Sequence, residues 1–127
     1  MFGEVSEKLD IVVNPGTVSL LSIRENKNIP QLVGTNRHVK MGAVEVLDEH
    51  FDNATNSLRI TSKGIEGTMH SVYVYIPKGY DWSPESAGVY KIEKNYSIRK
   101  IEENLLRIDV LFPDSTINVW QVKFQKY

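Results

Sequence analysis

The chain has no cysteine, which removes disulfides, thiolate metal sites and cysteine nucleophiles from consideration. No apolar run approaches the roughly 20 residues of a membrane-spanning helix. Met1-Phe2-Gly3-Glu4 lacks the basic start and apolar stretch of a signal peptide. One-sided charge is missing as well: Lys and Arg number 15, Asp and Glu 16, and the formal net charge is -1. A nucleic-acid binder would carry a basic stripe. The nearest approach is Arg99-Lys100, followed at once by Glu102-Glu103, so nucleic acid is not an expected partner.

Catalytic motifs are equally sparse. Gly64-Ile65-Glu66-Gly67-Thr68 holds two glycines but lacks the lysine and following helix of a phosphate loop, and reads as a turn. There is no G-x-S-x-G nucleophile elbow. His38, His50 and His70 are scattered, none at metal-ligand spacing from another. Each is expected on the surface or on an edge strand. No metal site and no cofactor is expected.

What the chain does have is alternation of period two. Leu58, Ile60 and Ser62 alternate with Arg59 and Thr61. Val72, Val74 and Ile76 point one way and Tyr73, Tyr75 and Pro77 the other. Leu106, Ile108, Val110 and Phe112 form a third series, and Trp120, Val122 and Phe124 a fourth. Such runs, rich in β-branched and aromatic residues, suit half-buried strands. Leu9, Ile11 and Val13 alternate before Asn14-Pro15-Gly16, and Val18 to Ile23 follow, which predicts a hairpin closed at Pro15-Gly16. Ser97–Leu106 has some helical spacing but reads better as two strand ends around a turn at Glu103-Asn104.

Turn clusters at 52–56, 63–64, 77–79, 83–86 and 113–115 separate the runs. The rhythm predicts an all-β antiparallel sandwich of roughly eight strands, immunoglobulin-like or jelly-roll-like. At 127 residues one domain is expected, burying about two thirds of its unfolded surface. Residues 1–28 are a candidate for the end strands of a preceding β-domain.

Two kinds of site can be drawn from these residues. Tyr80-Asp81-Trp82 follows a strand in a loop with Gly and Pro. Sugar C–H faces stack on exposed rings while acids bind hydroxyls, so these residues, with Tyr73 and Tyr75 as a ledge, form a candidate carbohydrate platform. The competing expectation has Trp82 folding down to cap the sandwich core or packing on a neighbouring domain. Trp120 is expected in the core. Among the acids, Asp48, Glu49, Asp52, Glu102 and Glu103 are candidates for a glycosidase pair, which needs carboxyls about 5–10 Å apart; solvated turn positions are the simpler account, and no catalytic residue is assigned. Asn53-Ala54-Thr55 and Asn95-Tyr96-Ser97 match the glycosylation sequon.

Val12-Val13-Asn14-Pro15-Gly16-Thr17-Val18-Ser19-Leu20-Leu21-Ser22-Ile23-Arg24 resembles the closing strands of α-galactosidase-like (melibiase-type) glycoside hydrolases. Pro30-Gln31-Leu32-Val33-Gly34-Thr35-Asn36-Arg37-His38-Val39-Lys40-Met41-Gly42-Ala43 is similar to an extension of some bacterial members, where it opens a further C-terminal β-sandwich. The likeness covers about the first third of the chain. It implies a bacterial, non-catalytic C-terminal accessory domain that stabilises or orients the preceding catalytic domain of the same polypeptide. Cellular location would follow that parent. The family's catalytic carboxylates lie on a barrel of about 250 residues, for which this chain has no room. In the second motif Pro30 and Gly34 are expected at turns, and Arg37 and His38 are candidate domain-interface residues. The alternative function is a carbohydrate-binding module using exposed aromatics.

Overall fold

A computed structural model describes residues 4–18, 23–35, 45–83, 96–112 and 117–127. Among them are nine strands and no helix: β1 (Gln31–Thr35), β2 (Glu45–Asp52), β3 (Ser57–Lys63), β4 (Thr68–Tyr75), β5 (Tyr80–Asp81), β6 (Tyr96–Glu102), β7 (Leu105–Phe112), β8 (Ile117–Lys123) and β9 (Gln125–Lys126). They form a four-stranded sheet in the order β1-β4-β7-β6, a three-stranded sheet β2-β3-β8 and a small β5-β9 pair. All pairings are antiparallel.

The two larger sheets share one core, which makes the fold a β-sandwich. Leu32, Val72, Val74, Leu106, Ile108, Val110 and Phe112 come from the four-stranded sheet. Leu58, Ile60, Trp120, Val122 and Phe51 meet them from the three-stranded sheet. Successive strand residues face opposite ways, so each alternating series buries one face. Ser62 belongs to this inner set because its hydroxyl accepts a hydrogen bond from Trp120 Nε1 at 3.3 Å, both groups being buried. The indole N–H thereby keeps a partner out of water.

Turn chemistry fixes the register. Asp52 closes the β2–β3 hairpin by accepting from the Ala54 amide at 2.9 Å and the Thr55 hydroxyl at 2.8 Å. The Thr55 bond is the main reason its carboxyl sits below the ordinary aspartate range. Asn56 takes φ 51 at the end of that turn, a left-handed position that Asn tolerates. The 64–68 segment is a turn, with Gly67 at φ 75 and Thr68 N donating to Ile65 O at 3.1 Å. β6 and β7 meet at Glu103-Asn104, with Lys100 opposite Leu106 and Glu102 opposite Leu105.

Three expectations are corrected. The turn at Asn14–Thr17 is present, with Gly16 at φ 75 and Thr17 N donating to Asn14 O at 3.1 Å. Its described flanks, however, form no ladder, and residues 19–22 of the expected second strand lie outside the described residues. Val12 is 90% and Val18 94% exposed, and a two-stranded hairpin is marginal by itself. Gly34 is not at a turn but inside β1, where a register shift between Leu32 and Gly34 sets it opposite Tyr73. His70 is neither superficial nor on an edge: β4 lies between β1 and β7, and His70 is fully buried with its ring tilted against Phe112. It shares the inward phase of Val72 and Val74. His50 is exposed on the edge strand β2, and His38 lies outside the described residues.

Candidate functional site: the outer face of the four-stranded sheet

The candidate platform residues separate into two environments. Tyr80 and Trp82 are each 7% exposed and belong to the core. Tyr80 packs edge-on against Phe51, centroids 5.6 Å apart, with Lys126 Nζ 5.6 Å from its ring centre. Neither ring offers an open face for stacking a sugar, which corrects the platform expected there. The short β5-β9 pairing draws the loop back onto the sandwich, aided by Tyr127 N donating to Gly79 O at 3.0 Å. Asp81 is half-exposed and takes a 2.7 Å ion pair from Lys100. That bond, followed by the Trp82 amide, holds its carboxyl below the usual range.

Tyr73 and Tyr75 do share a face. Val72 and Val74 point into the core, so their neighbours Ser71, Tyr73 and Tyr75 line the opposite side of the sheet, along with Arg107 and Asp109 from β7. Both tyrosines are half-buried. Antiparallel register arranges this face in rows. One row is Ser71, Asp109 and Ser97. The next is Gly34, Tyr73, Arg107 and Arg99.

Asp109 is the centre of the face. Its Oδ1 accepts from the Ser71 hydroxyl at 2.5 Å and from Arg107 Nε at 2.9 Å, and its Oδ2 from the Ser97 hydroxyl at 3.4 Å. Arg107 also donates to Ser71 Oγ at 3.3 Å. Burial pushes the Asp109 carboxyl up, but the bonds from Ser71 and Arg107 and the charges of Arg107 and Arg99 outweigh it, so the group sits below the ordinary value. The same bond to Asp109 raises the Arg107 guanidinium further. Asp109 is 9% and Ser71 2% exposed, which makes them a fixed polar floor.

Tyr75 is tied elsewhere. Its hydroxyl donates to Glu4 Oε1 at 2.6 Å, and Asn26 Nδ2 donates to the same oxygen. Burial first, and then the Glu4 bond and charge, push its phenol up to about 12. Beside it a cleft of about 220 Å³ is lined by Arg24, Glu25, Lys27, Gln31 and Glu49. One of the two carboxylates there is already engaged: Glu49 Oε1 accepts the Leu32 amide at 2.7 Å and Oε2 meets Arg24 at 3.3 Å.

The five candidate acids do not converge. Asp48, Glu49 and Asp52 belong to β2 in one sheet, whereas Glu102 and Glu103 sit exposed at the β6–β7 turn of the other. Among the described residues no group of three or more His, Asp or Glu gathers as a metal site would require, and no helix is long and apolar enough to cross a membrane. Arg37 and His38 lie outside the described residues. Ser71, Ser97, Asp109 and Arg107 were not among the predicted site residues. The faint signal was a polar residue alternating with core residues on each strand, but their meeting depends on register. No family model, curated protein or solved structure matches this chain.

Proposed function

We propose that the chain is a non-catalytic accessory module that packs against a preceding catalytic domain of the same polypeptide and stabilises or orients it. One observation carries this reading. The sandwich closes its core without the N-terminal segment, yet that segment holds Ile11, Val12, Val13, Val18 and Ile23 out to solvent. Apolar side chains in an alternating run need a covering surface, and a neighbouring β-domain supplies one. The likeness of residues 12–24 and 30–43 to α-galactosidase-like hydrolases supports a glycoside hydrolase as the parent. The scattered acids fit a role without bond cleavage.

The test is to remove residues 30–127 from the polypeptide that carries them and follow melting temperature and turnover on α-linked galactosides. The expected result is a melting temperature lower by several degrees, with or without slower turnover. If both stay unchanged, the accessory role is wrong. The isolated chain is expected to hydrolyse no glycoside.

A second reading, carbohydrate binding, is favoured by Tyr73 and Tyr75 standing together on an outward sheet face. In this reading the site moves from the Tyr80–Trp82 loop, whose rings are in the core, to the four-stranded sheet.

A further inference from the structure

The cross-strand pair Arg99 and Arg107 sets two like charges directly opposite one another, an arrangement that is unfavourable without an anion nearby. Asp109 feels both charges but is hydrogen-bonded to only one of them: Arg107 holds it, while Arg99 is exposed and its side chain makes no hydrogen bond among the described residues. Arg107 places Nε on Asp109 and one terminal nitrogen on Ser71, which leaves guanidinium N–H donors beyond those two bonds. Two adjacent guanidinium groups with spare donors suit an oxyanion, held by paired hydrogen bonds.

The flanks of the pair narrow the ligand further. Tyr73 lies directly opposite Arg107 on the other side, and its own far neighbour is Gly34. A glycine there lays no side chain over the ring from β1, and Tyr73 is half-buried. The row Gly34–Tyr73–Arg107–Arg99 spans three strand spacings, roughly 14 Å at about 4.8 Å each. Beneath it, the exposed residue Ser97 sets its hydroxyl on the Asp109 carboxylate at 3.4 Å. A single ligand that satisfies the whole row needs an oxyanion, a flat C–H face and hydroxyls.

We propose that this face binds an acidic saccharide, its carboxylate or sulfate on Arg99 and Arg107, its sugar ring against Tyr73 and its hydroxyls toward Ser97 and Asp109. The assignment rests on the carbohydrate-binding reading and adds the charge of the ligand and the residues that take it. It also gives the exposed guanidinium of Arg99 a hydrogen-bonded counter-ion. Salt weakens the interaction, since the pair is solvent-accessible.

Titration calorimetry of the whole chain against polygalacturonate, chondroitin sulfate, neutral galactan and single-stranded oligothymidylate tests it. One or both acidic glycans are expected to bind. Arg99→Ala should weaken that binding about tenfold, as loss of a charge-assisted bond does, and should leave the melting temperature unchanged. Tyr73→Ala should weaken it too, and Tyr73→Phe should restore it. Neutral galactan binding as tightly, insensitive to Arg99→Ala, would overturn the acidic assignment while leaving carbohydrate binding intact. No saccharide binding at millimolar concentration would overturn both. Oligothymidylate bound as tightly as the glycans, without help from Tyr73, would make the face a general polyanion surface and remove the saccharide.

Discussion

Strand β7 and the N-terminal segment stand at opposite extremes of this molecule. Leu106, Ile108, Val110 and Phe112 are all fully buried, because β7 has β4 on one side, β6 on the other and the second sheet across from it. Ile11, Val13 and Val18 are exposed on a segment that joins no sheet among the described residues. The side chains are of one kind and the spacing nearly the same. What differs is the number of neighbours, so burial belongs to the assembly of strands and not to the alternation itself.

Truncation gives the largest expected separation between the two regions. Ile108→Ala should cost about 2–5 kcal/mol in urea unfolding, through lost burial and the cavity left behind. Val18→Ala should stay within about 0.5 kcal/mol. A comparable cost at both positions would mean that the segment packs on the sandwich in solution.

Acid sharpens the contrast on the outer face of β7. The Asp109 carboxyl is held below its unfolded value of 3.8, so the folded state favours the charged form. That stability is fully present above about pH 4 and is lost as pH falls through the lower folded value. Asp109→Asn should lower stability at neutral pH by about 1–3 kcal/mol and flatten the acid limb. Equal acid limbs in the two proteins would contradict the network.

The smallest effect lies where the N-terminal segment touches the sheet. The Tyr75 phenol is raised to about 12, so its contribution is intact below about pH 10 and is lost as pH rises through the folded value. Ultraviolet titration should show a late-ionising tyrosine. Glu4→Gln should bring that ionisation down part of the way, because burial is the larger cause. A titration unchanged by Glu4→Gln would mean that Glu4 does not reach Tyr75.

How much was legible follows the range of each interaction. The inward sets of β3, β4, β7 and β8, the Glu103-Asn104 turn and the Gly67 turn are local patterns, and all were readable from the residues. Pro15-Gly16 also announced its turn, but strands beside a turn need partners, which a local pattern does not supply. His70 carried a usable signal, since it falls in phase with Val72, Val74 and Ile76. The fate of Tyr80 and Trp82 was open, because a loop after Pro77 and Gly79 can carry rings outward or inward equally well. The Asp109 site was hidden for a different reason. Ser71 lies 38 residues away in sequence and Ser97 lies 12, so only the strand order brings the three together.

Glu49 has a consequence for how the molecule meets others of its kind. β1 and β2 each lie at the rim of a sheet, where a bare main-chain amide invites a foreign strand. By accepting the Leu32 amide and holding Arg24 with its other oxygen, this one side chain plugs the rim of the first sheet from the second. A newcomer seeking to extend the sandwich there must first displace a carboxylate, which steers self-association away from that border.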